Sequence, residues 1–295
     1  MVEVKANSYL HQIRLCVLVS VFILGSTSTA QAAFSDADYE AHVEKLKKNL
    51  PKGFTIIIEK PFVVIGDERA ATVKMRSEKT VRWCTQLLKK QYFKKDPNTI
   101  LNVFLFKDKA SYEKHMKSFW NETPTTPYGF YSSTKRALVM NISTGGGTLV
   151  HEIVHPFVES NFPNCPSWFN EGLGSLYEQC RERNGKIVGL TNWRLAGLQR
   201  AILKKQLPTF KKLMGTTSFL FYNKDRGSNY AQARYLLYYL QETDQLQAYF
   251  DAFIKNRRED PHGYITLKKV LKLDDEGMLK FQKKWETYVL KLKFR

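Results

Sequence analysis

The chain has 295 residues, 43% hydrophobic and 25% charged, which suits one large or two small globular domains and excludes a disordered or fibrous protein. Its 46 Lys+Arg against 28 Asp+Glu give a formal charge of +18, a balance that nucleic-acid binders share. The first thirty residues argue against that class.

Lys5 and Arg14 make a basic start, Leu15 to Gly25 form a short apolar run, and Ala30-Gln31-Ala32 precedes Ala33. This order predicts an export signal over residues 1–32 with an A-x-A cleavage pattern, and a mature chain from residue 33. The apolar run is shorter than the roughly 20 residues that a membrane-spanning helix needs. An exported protein this basic meets anionic envelope polymers or lipid headgroups more readily than genomes, so no nucleic-acid partner is expected. The expected location is periplasmic or secreted.

In chain order, residues 34–50 predict a helix stopped by Pro51 and Gly53. Phe54 to Ile58 and Phe62 to Ile65 are β-branched or aromatic runs that predict two strands or a hairpin. Residues 68–93 suit an amphipathic helix, and Thr99 to Phe106 is the strongest strand. Asp108 is placed to cap a helix through Trp120, with a proline-containing loop after it. Ala137 to Ile142 predicts a further strand, and Gly145-Gly146-Gly147 then turns the chain into a helix near Thr148. Beyond that point helices are expected over 148–159, 167–180, 191–205, 228–242, 245–256 and 276–291. Strands early and helices late make the expected class α+β. One domain over 33–295 is the simplest partition, with a possible lobe boundary near 190.

Past the signal, Cys84, Cys165 and Cys180 allow at most one internal disulfide. A Cys165–Cys180 bridge is disfavoured, because a helix from Trp168 to Cys180 would rise about 18 Å between them.

The chemistry lies in His151-Glu152-Ile153-Val154-His155. Four residues along a helix return to the same face, so both imidazoles can reach one Zn²⁺, with Glu152 beside them to take a proton from bound water. Sixteen residues on, Glu171 lies in Trp168-Phe169-Asn170-Glu171-Gly172 on a second expected helix. Two helices joined by a short turn pack antiparallel and bring Glu171 back to the imidazoles. Gly172 and Gly174 leave room for close packing. Two His and one Glu leave a fourth position open, the mark of a catalytic rather than a structural zinc site. Ser175 and Glu178 are candidate acceptors for the second nitrogen of a zinc-bound histidine.

The pairing of His-Glu-x-x-His with a downstream Trp-x-x-Glu-Gly resembles the gluzincin metallopeptidases, and more narrowly the bacterial peptidase MA-like domain family. The resemblance implies a zincin-like fold: a small mixed sheet with an edge strand beside the His-Glu-x-x-His helix, then a mostly helical C-terminal lobe. It implies one zinc held by His151, His155 and Glu171, with Glu152 as general base and later proton donor. It further implies that Tyr230, in Tyr230-Ala231-Gln232-Ala233-Arg234, stabilises an oxyanion as the similarly placed tyrosine of zinc aminopeptidases does. Ala137 to Ile142 is implied as the edge strand that pairs with an extended peptide substrate. That stretch lacks the carboxylate with which the aminopeptidases hold a free amino group, which favours cleavage within a chain. The expectation is therefore an exported zinc endopeptidase; the alternative is a non-catalytic envelope binding or assembly factor on the same fold.

Overall fold

The computed structural model describes residues 34–223 and 227–294. The expected export signal, residues 1–32, lies outside them. Helix α1 (Asp36–Asn49) begins at a capping box in which Ser35 and Asp38 satisfy each other's backbone N–H groups. Strands β1 (Thr55–Glu59) and β2 (Phe62–Gly66) pair antiparallel, as the sequence predicts. The amphipathic stretch after them is a helix in three parts: α2 (Ala70–Arg76), a π-helical segment (Ser77–Arg82) and α3 (Trp83–Gln91). It carries the chain to β3 (Leu101–Phe106), parallel to β2. Helix α4 (Lys109–Trp120), capped by Asp108, leads on to β4 (Gly129–Ser132) and β5 (Ala137–Asn141).

The five strands lie in the order β1-β2-β3-β5-β4, with β3 and β5 parallel and β4 and β5 antiparallel. Alternation along the central strands sends side chains to two layers. Val64, Val103, Leu105, Leu138 and Met140 face the large core shared with the later helices. Val63, Ile65, Phe104, Phe106 and Val139 face a smaller core covered by α1 and α4. Burial on both faces explains why these strands read as unbroken apolar runs.

The expectation that Ala137 to Ile142 forms the sheet edge is not met. β5 is enclosed between β3 and β4, and the edge on this side of the sheet is β4. The apolar Ala-Leu-Val-Met stretch of β5 is fully buried, whereas β4 is short and only partly buried, as an edge requires.

A short 3₁₀ turn (Ile142–Thr144) and Gly145 lead into α5 (Gly146–Asn161), which packs across β4 and β5. Helix α6 (Ser167–Leu176) follows after a proline-containing turn and packs against α5. The helix expected to continue to residue 180 stops at Leu176. Cys180–Arg183 (β6) and Lys186–Gly189 (β7) instead form a hairpin around Asn184 and Gly185, both with positive φ. Cys84, Cys165 and Cys180 are all free thiols.

The remaining helices are α7 (Leu195–Leu203), α8 (Phe210–Met214), α9 (Ser218–Asn223), α10 (Ser228–Glu242), α11 (Leu246–Asn256), α12 (Tyr264–Leu271) and α13 (Asp275–Lys291). The sequence reading lacks α8, α9 and α12, which are too short to display a helical period. Helix α10 is the main support of α6: Gly172 lies directly against Ala233 and Leu237. Buried Trp168 donates its indole N–H to the His262 carbonyl, and Trp285 donates to that of Tyr235. Full burial of side chains of this kind contributes about 3 kcal/mol each. No described helix is long and apolar enough to cross a membrane.

Candidate active site

Helix α5 is apolar on the face it packs against the sheet, through Leu149, Ile153, Val154 and Phe157, and this fixes its rotation. His151, Glu152 and His155 are thereby held at the floor of a cleft of about 1180 Å³, each less than a tenth exposed. Glu171 reaches the same point from α6. One ligating atom from each of His151, His155 and Glu171 falls within 4.8 Å of the others, the one such group found among the described residues. His151 Nε2 stands 3.1 Å from Glu171 Oε2, and His155 Nε2 stands 3.9 Å from the same oxygen.

The histidine tautomers are set from behind. His151 donates its Nδ1–H to Glu178 (3.2 Å), and His155 donates its Nδ1–H to the Asn170 side-chain oxygen (2.9 Å). In the neutral form that binds a metal, both Nε2 lone pairs are left to face the cluster. Of the two candidates offered by the sequence, Glu178 takes this role for His151, while the Ser175 hydroxyl is buried without a partner. Asn170, next to Glu171 in the second motif, was readable as a polar neighbour but not as the partner of His155.

Glu178 is itself held by a two-point pair with Arg194 (2.9 and 2.7 Å) and by the Asn192 amide (2.9 Å). It reaches this place because Gly147 has no side chain: a Cβ there would stand 2.1 Å from the Glu178 carbonyl oxygen. Gly174 plays the same part on α6, since a Cβ there would meet the His151 ring at 3.1 Å. These close approaches are the physical content of glycines that the sequence shows only as spacing.

Tyr222, on α9, donates its hydroxyl to Glu171 Oε1 (2.8 Å). No motif marks it, because α9 returns to the cluster only through the tertiary fold. Tyr230 lines the cleft where α10 begins, as expected. Burial and the nearby Glu171 carboxylate raise its pKa, so the phenol keeps its proton. Glu152 is fixed differently: the backbone N–H of Tyr131, on the edge strand β4, donates to its Oε2 (2.9 Å).

In the metal-free protein, burial opposes charge on His151, but the hydrogen bonds to Glu171 and Glu178 outweigh it and hold the imidazole pKa well above 6.5. Burial likewise raises the Glu171 pKa, but His155, His151 and Tyr222 overcome it and hold the carboxyl at about 2. Burial also works against charge on Glu178, and the bonds to His151 and Arg194 bring it to about 2.

The donors fit zinc. Two imidazole nitrogens and one carboxylate oxygen, buried, convergent and braced by neighbouring acceptors, form one site, and a three-residue set leaves a fourth position open. The sheet, the His-Glu-x-x-His helix beside its edge, and the helical C-terminal part complete the pattern. This is the architecture of the gluzincin peptidases. A buried His/His/Glu triad with an adjacent glutamate is the constellation of a glutamate-activated zinc hydrolase. The sequence matches no known family model, and no curated protein shows significant similarity to it.

Proposed function

We propose that the chain is an exported zinc endopeptidase, with residues 33–295 as one catalytic domain. The observation that carries this reading is the convergence of His151, His155 and Glu171 beside Glu152 in a cleft bordered by the edge strand β4. His151, His155 and Glu171 would hold zinc, which supplies positive charge that polarises a carbonyl and acidifies water.

Glu152 takes the proton from the attacking water and passes it to the leaving amine. Its carboxylate is already oriented by the Tyr131 N–H, so little reorganisation is needed at the moment of reaction. Tyr230 keeps its proton and donates a hydrogen bond to the oxyanion as charge develops. Strand β4 is the element available for pairing with an extended peptide, through the groups of its outer edge that Glu152 does not use. The edge strand β4, Gly129–Ser132, carries no carboxylate to hold a free amino group, which supports internal cleavage over removal of terminal residues.

The test is digestion of a peptide library by the purified protein beside Glu152→Gln. Internal cleavage by the wild type, reduced roughly 10²–10⁴-fold in the variant, is the expected result. Cleavage that persists unchanged in Glu152→Gln would sink the mechanism. Bound zinc with no cleavage by either protein would favour the non-catalytic binding factor.

A further inference from the structure

Among the described residues of the cleft, all the charged groups but one are already committed. His151, His155 and Glu171 belong to the metal cluster, Glu152 to proton transfer, and Glu178 and Arg194 neutralise each other. Glu159 is left over. It lines the same cleft, is exposed, and stands four residues after His155, hence on the same face of α5 and about 6 Å further along it.

Its position is built rather than incidental. The Tyr131 hydroxyl donates to Glu159 Oε2 at 2.6 Å, while the Tyr131 ring lies over the His155 imidazole with 6.5 Å between centroids and 27° between planes. The residue whose backbone holds Glu152 therefore also points Glu159 along the cleft. A phenol satisfies one lone pair and none of the charge. Among the described residues that line the cleft, the one arginine, Arg194, is committed to Glu178, and no ion pair is formed by Glu159.

We propose that Glu159 is a specificity-determining residue that binds a cationic group of the substrate, an ammonium or guanidinium next to the cleaved bond. The proposal rests on the peptidase reading above. A Lys or Arg side chain and a free peptide N-terminus both carry this chemistry. The second source would give the enzyme, from α5, the amine-holding carboxylate that the edge strand β4 lacks.

The test is binding of fluorescent peptides to the zinc-loaded Glu152→Gln protein, so that affinity is read without turnover. Three probes differ in one group each: N-acetylated with lysine, N-acetylated with norleucine in its place, and norleucine with a free N-terminus. Expected is about fivefold tighter binding of a cationic probe over acetylated norleucine, weakening with salt. Adding Glu159→Gln should abolish that preference, and Glu159→Lys should reverse it, so that acetylated norleucine binds more tightly than the cationic probe. Preference for the lysine probe identifies the side chain as the source; preference for the free-amine probe identifies the terminus. A preference that survives Glu159→Gln, or none in the parent, overturns the role of Glu159 while leaving the peptidase reading intact. No binding of any peptide by zinc-loaded protein overturns both. Zinc content and thermal midpoint, unchanged in the Glu159 variants, establish that the fold is retained.

Discussion

Replacing Glu178 by glutamine separates what this residue does for the metal from what it does for the fold. Its two carboxylate oxygens accept from four donors: His151 Nδ1 and Arg194 Nη2 on one, Arg194 Nε and Asn192 Nδ2 on the other. Glutamine offers one oxygen and one NH₂, so whichever way the amide turns, one pair of donors faces another donor. The guanidinium, only 15% exposed, also loses its counter-charge. Breaking a buried pair from one side costs about 3 kcal/mol or more, which lowers Tm by roughly 6–12 °C for a domain of this size. For zinc, a weakened acceptor behind His151 lowers affinity by roughly tenfold, about 1.4 kcal/mol. Chelator competition measures the second effect, and thermal unfolding of metal-free protein the first. The double variant Glu178→Gln/Arg194→Met removes the stranded cation and should regain part of the stability while zinc affinity stays low. Unchanged zinc affinity in the single variant, or its full recovery in the double, would refute this division of roles.

Gly174→Ala brings a Cβ within 3.1 Å of the His151 ring, so zinc affinity should fall severalfold. The Tm should change little, because an alanine in a helix returns about 1 kcal/mol; wild-type zinc affinity would show that the ring yields freely. Tyr222→Phe removes a 2.8 Å hydrogen bond to Glu171 and should weaken zinc by about fivefold, or 1 kcal/mol, as read by the same competition. The metal-free protein should have a pH optimum of stability. Glu171 and Glu178, held at about 2 in the fold, contribute fully above their ordinary 4.5 and lose that contribution as pH falls towards 2. His151, raised above 6.5, contributes fully below that value and loses its share as pH rises through its folded pKa. Denaturant midpoints of chelated protein should therefore peak between about 4.5 and 6.5, and a rise on acidification below 4.5 would contradict the assignment.

Much of the site was legible in one dimension. The four-residue return of a helix puts His151 and His155 on one face whatever surrounds them, and the turn before α6 folds Glu171 back toward it. The principal strands and the long helices were legible for the same local reason, since burial on a fixed face imposes a period. What the sequence could not decide was which strand closes the sheet. Ala137 to Ile142 and Gly129 to Ser132 are neighbours in any antiparallel pair, and only the parallel docking of β5 on β3 makes β4 the edge. The hairpin at Cys180–Gly189 was hidden by the apolar and aromatic run preceding it. The supports of the cluster were hidden as well. Asn192 with Arg194, Tyr222 and the Tyr131 N–H come from three separate segments, and they meet only because the segment before α7, α9 and β4 are packed around α5 and α6. The chemistry of a metal site is local and leaves a motif. The orientation of its ligands depends on hydrogen bonds over long sequence separation, and these exist only once the chain has folded.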